Sequence, residues 1–198
     1  MGDVLVLYYS QTGAVKNLAQ FIARGIEQVQ GARARLRTVP GVGPLTHALS
    51  PAVPESGAPY AELRDLWECI GVAVGSPTRF GNMAAAMKYF WDGTGELWLK
   101  GALAGKPASV FTSTGTQHGG QETTLVSMML PLLHHGMVLV GLPYTEPLLS
   151  TTRSGGSPYG ATHVAGLSNE VPVSDDEKTL GIALGKRLAE IAVKLAKS

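Results

Sequence analysis

Val4–Tyr9, V-L-V-L-Y-Y, leads through Ser10–Ala14, S-Q-T-G-A, into Val15, Leu18, Ile22, Ile26 and Val29 at three- and four-residue spacing. Six consecutive apolar residues read as a strand buried on both faces, because alternate side chains leave the two sides of a sheet. The spacing that follows is one face of an amphipathic helix. A strand joined to a helix by so short a loop is the first half of a βαβ unit, and a parallel sheet follows from it.

Three further continuous runs extend the pattern: Cys69–Val74 (CIGVAV), Ala108–Thr112 (ASVFT) and Met137–Val140 (MVLV). Ala34–Val39 (ARLRTV) alternates polar and apolar residues and reads as an edge strand. Between them Glu122–His135 is helical, with Pro131 kinking it or ending its regular part. A last helix carries Leu184, Leu188, Ile191 and Leu195 on one face. It opens with Ser174 and Glu177 in capping-box spacing beside Asp175 and Asp176, and closes with Lys194 and Lys197, as the helix dipole favours. Five strands alternating with helices predict a doubly wound α/β domain over 1–198, with flavodoxin-like strand order 2-1-3-4-5 and helices on both faces. Two segments are too long for compact links. Pro40–Pro59 holds five prolines, and Leu142–Val173, rich in Gly, Ser, Thr and Pro, reads as an insertion before the last helix.

The bulk composition bounds the function. Of 198 residues 44% are apolar and 16% charged, an ordinary globular balance, and the net charge of +1 carries no electrostatic case for nucleic acid or an anionic membrane. Cys69 is the sole cysteine, which leaves no disulfide framework within the chain and reads as inert core. No run reaches the roughly 18 apolar residues of a membrane span, and no basic leader precedes the first strand, so a cytoplasmic protein is expected.

An open parallel sheet binds ligands beyond the carboxyl ends of its strands. Three loops should meet there: Ser10–Ala14, Ser76–Asn82 and Ser113–Gly120. The first enters a helix N-terminus, where unpaired N–H groups and the dipole favour an anion, and Gly13 allows close approach. A helix cap alone would also explain it. No G-x-G-x-x-G occurs, and Gly101–Lys106 (GALAGK) is one residue short of a triphosphate loop and is followed by Pro107. A monophosphate therefore fits better than a dinucleotide or triphosphate. The second loop offers Thr78, Arg79 and Phe80 after a Pro77 that stiffens the turn; the third, S-T-G-T-Q-H-G-G, is rich in glycine and hydroxyls. Trp98 reads equally as a ligand contact or a buried anchor, while His134 and His135 read as charges at a helix C-terminus. No G-x-S-x-G elbow, H-E-x-x-H helix or metal-ligand spacing is present. Cofactor-borne redox chemistry needs none of these.

These stretches together resemble a known family. V-L-V-L-Y-Y-S at Val4–Ser10, P-T-R-F-G-N-M at Pro77–Met83, T-G-x-L-W and G-A-L-x-G-K within Thr94–Lys106, A-S-V-F-x-S-T-G-T at Ala108–Thr116, H-H-G-M-V at His134–Val138 and G-G-x-P-Y-G-A-T at Gly155–Thr162 are similar, in order, to the WrbA-type NAD(P)H:quinone oxidoreductases. The resemblance implies FMN as cofactor, NADH or NADPH as donor, small quinones as acceptors and a homotetramer whose sites neighbouring subunits complete. By motif, Ser10, Gln11, Thr12, Gly13, Ala14 and Val15 would hold the phosphate, and Thr78, Arg79, Phe80 and Gly81 the flavin ring. Ser113, Thr114, Gly115, Thr116, Gln117, His118 and Gly119 would meet ribityl and ring, with His134 reaching the same site. Thr12 and Trp98 would contact the nicotinamide or quinone, and Arg79 and His134 would stabilise negative charge on reduced flavin or quinone oxygen. Two departures stand out. S-Q-T-G-A replaces the family's frequent S-M-Y-G-H, putting Thr12 where an aromatic is common, and Gln117-His118 lengthens the third loop. A one-electron flavodoxin-type carrier is the alternative, against which the absence of a strongly acidic balance counts. A flavin-binding regulatory protein is a third reading.

Overall fold

The computed structural model describes residues 1–43, 54 and 56–197. In chain order the elements are β1 (Gly2–Tyr8), α1 (Ala14–Ile26), β2 (Ala32–Thr38), α2 (Leu63–Glu68), β3 (Gly71–Arg79), β4 (Asn82–Met83), α3 (Ala85–Asp92) and α4 (Gly95–Leu99). They continue with β5 (Pro107–Thr114), α5 (Gln121–His134), β6 (Val138–Leu139), α6 (Leu148–Thr151), β7 (Gly160–Val164) and α7 (Asp175–Leu195). The main sheet runs β2-β1-β3-β5-β6 with all pairings parallel, which is the predicted 2-1-3-4-5 order.

The fifth column differs from the expectation. Only Val138–Leu139 pairs with the start of β5, and the rest of that edge is supplied by β7, whose Gly160–Val164 lies beside Val110–Thr114. The segment read as a structureless insertion thus contains half of the fifth strand, and the true excursion falls between the halves. Seven strands are present among the described residues, the two-residue β4 folding back antiparallel on β3. Cys69 does not begin a strand. It is the C-cap of α2, its thiol donating to Leu66 O, and burial pushes its pKa up to about 11. Pro131 does not end α5, which continues to His134, whereas Val29 falls beyond the end of α1. Of the Pro40–Pro59 loop, 44–53 and 55 lie outside the described residues.

Alternation along the buried strands feeds two cores. Val4, Val6 and Tyr8 face α1 and α7, packing with Leu18, Ile22, Leu184 and Leu188. Leu5, Leu7, Val72 and Val74 face the other side, with Met87, Trp91, Leu125 and Met128. α1 and α7 cross so closely that a Cβ on Gly25 would overlap Ile182 O, and one on Gly185 would overlap Ile22 O.

Two polar devices fasten this frame. At the β2 edge Arg33, Arg35 and Arg37 share one face and pair with Asp3 and Asp65, while Arg35 also reaches Glu68. At the start of α7 the capping box forms as predicted, Ser174 Oγ accepting from Glu177 N. Glu177 does more than cap. Its 1% exposed carboxylate accepts N–H bonds from Gly155, Val164 and Ser174 and one from His163 Nδ1, tying the end of the excursion and β7 to α7. Burial pulls the Glu177 pKa upward, but the His163 bond and the three amides outweigh it and hold the carboxyl at about 2.

Candidate functional site

β1, β3, β5 and β7 end side by side, and the loops that follow them enclose a cavity of about 440 Å³. That volume is within the range of small-molecule sites. The three loops predicted to converge do so: Ser10, Gln11, Thr12, Ala14 and Val15 from the first, Pro77, Thr78 and Arg79 from the second, Ser113, Thr114 and Gly115 from the third. A fourth wall, Ala165–Asn169, was not foreseen. It follows β7, and missing that strand hid the loop as well.

The first loop is a nest. Gly13, the N-cap of α1, has φ +97°, a left-handed conformation that glycine adopts readily. Its N–H and that of Lys16 converge on Ser10 Oγ at 3.1 and 3.2 Å. Ala14 and Val15, in the first helical turn, have no intrahelical acceptor available for their N–H groups. Ser10 Oγ is thus an acceptor in the nest, standing where a stronger anionic acceptor fits.

The second loop is a two-residue hairpin turn. Arg79 pairs with Asn82, and Phe80 and Gly81 between them have φ +53° and +79°, the type I′ pattern. An aromatic in the left-handed region is strained, and Phe80 is wholly exposed. Thr78 Oγ1 accepts from Gly81 N at 3.3 Å and from Thr124 Oγ1 at 2.8 Å, which fixes the turn to α5. Arg79 crosses the cavity: Nη1 donates to Thr78 O at 2.8 Å and Nη2 donates to Gln11 Oε1. It is the only ionisable side chain among the described lining residues.

In the third loop Thr114 Oγ1 donates to Thr116 O at 2.7 Å, and Gln121 Nε2 to Gln117 O at 2.7 Å. Thr116, Gln117 and His118 are exposed beyond the cavity, with Gly119 half-buried behind them. In the fourth, Ala165 N donates to Thr114 O at 2.8 Å and Asn169 Nδ2 to Thr12 O at 3.1 Å.

Trp98 and His134 do not line this cavity. Parallel strands place helix C-termini at the opposite edge of the sheet, where Gly105 N donates to Gly136 O and Val138 N to Lys106 O. There Trp98, 53% exposed on α4, donates from Nε1 to His134 O at 2.9 Å. Beneath them Thr94 Oγ1 gives its hydrogen to Trp91 O at 2.6 Å and so accepts from His135 Nε2 at 2.9 Å. Burial, then the neighbouring His134, lowers the His135 pKa.

The donor set suits the phosphate of FMN: amide N–H groups, hydroxyls and a glycine, with no carboxylate among the described lining residues and one arginine. Among the described residues no cluster of His, Cys, Asp or Glu could hold a metal ion. Sheet order and site together define a flavodoxin-like α/β flavoprotein. Residues 3–145 match the model of the NADPH-dependent FMN reductase family. NAD(P)H dehydrogenases (quinone) from Chromohalobacter salexigens and Gluconacetobacter diazotrophicus are each 46% identical, over 99% of this chain and 100% of theirs. The chain belongs to this family. Among solved structures, a WrbA-like flavodoxin from Agrobacterium tumefaciens has a TM-score of 0.68 at 19% identity, covering 98% of this chain and 99% of that one. Flavodoxin 1 of Bacillus cereus gives 0.61 at 14%, over 95% and 97%. Both are likenesses of fold.

Proposed function

We propose that this chain is an FMN-dependent NAD(P)H:quinone oxidoreductase that reduces quinones to hydroquinones by two electrons. The observation that carries it is the nest of N–H groups at the start of α1, beside a cavity flanked by a strained, exposed aromatic. Full-length identity to proteins named NAD(P)H dehydrogenase (quinone) supports the enzyme over the one-electron carrier.

FMN supplies the redox chemistry, taking two electrons from reduced nicotinamide and yielding them to a quinone. The chain's residues bind and orient. Ser10–Val15 would cradle the phosphate, Thr78 to Gly81 would border the ring, and Ser113–Gly115 would border ribityl and ring, with Thr116–Gly119 at the rim of the cavity. Arg79, held by Gln11 and Thr78 O, offers positive charge against the negative charge that develops on ring or quinone oxygen. Thr12 and Phe80 would stand beside the space in which the two substrates bind in turn.

Among the described lining residues none other than Arg79 carries an ionisable side chain, so the cavity holds no acid or base of its own to serve a quinone oxygen. We infer that the missing groups come from other subunits of a homotetramer, which bring the Trp98–His134 pair of one chain over the cavity of another. Trp98 then covers the substrates, and His134 donates to quinone oxygen.

The test is an absorbance spectrum of the purified protein, followed by NADH or NADPH with and without benzoquinone. A yellow preparation bleached by the reduced nicotinamide and restored by one equivalent of benzoquinone supports the enzyme. A colourless preparation that FMN cannot reconstitute sinks it. A reductive titration that halts after one electron, with no turnover, favours the carrier.

A further inference from the structure

The fourth wall of the cavity contains a residue whose role follows from one peptide plane. Asn169 and Phe80 are the two non-glycine residues with positive φ among the described residues, and both stand at this site. Asn169 has φ +59° and presents its amide from a braced turn: its own N–H donates to Gly166 O at 3.2 Å, and Ser168 N donates to Glu170 Oε2 at 2.8 Å. The turn is pegged to the end of β5 through Ala165 N and Thr114 O. From there Asn169 Nδ2 donates to Thr12 O at 3.1 Å, bridging 157 residues of chain.

The peptide joining Thr12 to Gly13 is trans, so its carbonyl and its N–H point to opposite sides. The carbonyl meets Asn169, and the N–H points into the nest, 3.1 Å from Ser10 Oγ. Because Gly13 tolerates both signs of φ, this plane is the easiest in the loop to turn over. Turned over, it would show an anion a carbonyl oxygen in place of a donor.

We propose that Asn169 is a positioning residue that latches the Thr12–Gly13 peptide with its N–H toward the cofactor phosphate. The inference rests on reading Ser10–Val15 as the phosphate cradle. It explains why the wall after β7 reaches across to a loop at the other side of the cavity, and why an asparagine occupies a left-handed position. Asparagine reaches that conformation at low cost while supplying a short, rigid donor.

The experiment titrates the apoprotein with FMN and with riboflavin, which has the same ring and ribityl chain and no phosphate. The unsubstituted protein should prefer FMN; equal affinities would overturn the cradle and the latch together. Asn169→Gly keeps the left-handed backbone and removes the amide. Asn169→Asp keeps shape and turn preference but sets an acceptor against Thr12 O. Both should weaken FMN about three- to tenfold and leave riboflavin within about twofold, the span of one hydrogen bond. The retained riboflavin affinity also reports that each variant is folded. Equal losses for both flavins would make Asn169 a merely structural residue. Unchanged FMN affinity in both variants, with the parent still preferring FMN, would overturn the latch and leave the cradle standing.

Discussion

Phe80 concentrates the tension between stability and use. The first central position of a type I′ turn favours Asn, Asp or Gly, yet an aromatic stands there at φ +53° with its ring in solvent. Replacing it should relieve strain: Phe80→Asn is expected to stabilise the apoprotein by about 1 kcal/mol, raising Tm by about 2–4 °C. The same change removes the apolar border of the ring, so FMN affinity should fall and the quinone KM rise. Thermal unfolding without flavin, paired with steady-state kinetics, checks both; an apoprotein no more stable than the parent would refute the strain argument. At this scale the sequence announced Ser10, Gly13, Thr78, Arg79 and Phe80, because hydroxyls, glycine and a cation crowded into short loops carry their chemistry on their face. Asn169 gave no such signal. Its meaning depends on a backbone carbonyl 157 positions away, and only the fold sets that distance.

Glu177 shows how elements are fastened. A capping box was legible from Ser174 and Glu177, but the carboxylate also collects the N–H groups of Gly155 and Val164 and the ring of His163. Its pKa is about 2 when folded against an ordinary 4.5, so the stabilisation is complete above about pH 4.5 and drains away as pH falls toward 2. The unsubstituted protein should therefore exceed Glu177→Gln most at neutral pH, the acid-sensitive part of that gap being about 3 kcal/mol. Denaturant unfolding between pH 7 and 3 should show about 2 kcal/mol of it lost, the remainder going below pH 3, and a gap independent of pH would refute the assignment. The short apolar runs were legible as strands because burial on both faces writes itself as unbroken hydrophobicity, although of Met137–Val140 only Val138–Leu139 pairs in the sheet. β7 was not, since G-A-T-H-V holds one branched apolar residue and follows a Gly- and Ser-rich stretch. α2, α3 and α4, at six, eight and five residues, are too short for a helical period to establish itself.

At the scale of the whole molecule, the cavity and the Trp98–His134 pair lie at opposite edges of the sheet, a separation that the proposed oligomer would close. The exposed stripe Val126, Leu130 and Leu133 on α5, at spacings of four and three residues, ends beside that pair. Leu130, 57% exposed, is the central member, so Leu130→Glu should yield a smaller species in sedimentation and cut quinone turnover roughly tenfold, with FMN affinity largely retained. A parent protein that sediments as a fully active monomer would end this account. Sequence alone could name Trp98 and His134 through the family pattern, but which edge they occupy follows from the direction of α5 and the register of β6. The β2 edge makes the converse point. Its alternate arginines are saturated by Asp3, Asp65 and Glu68, so the outermost strand is bordered by locked charge instead of a bare apolar ribbon. Growth of the sheet from one molecule into the next, the route to fibrous precipitates, is disfavoured on that flank, and any self-association is left to helical surfaces, where it can stop at a closed number of subunits.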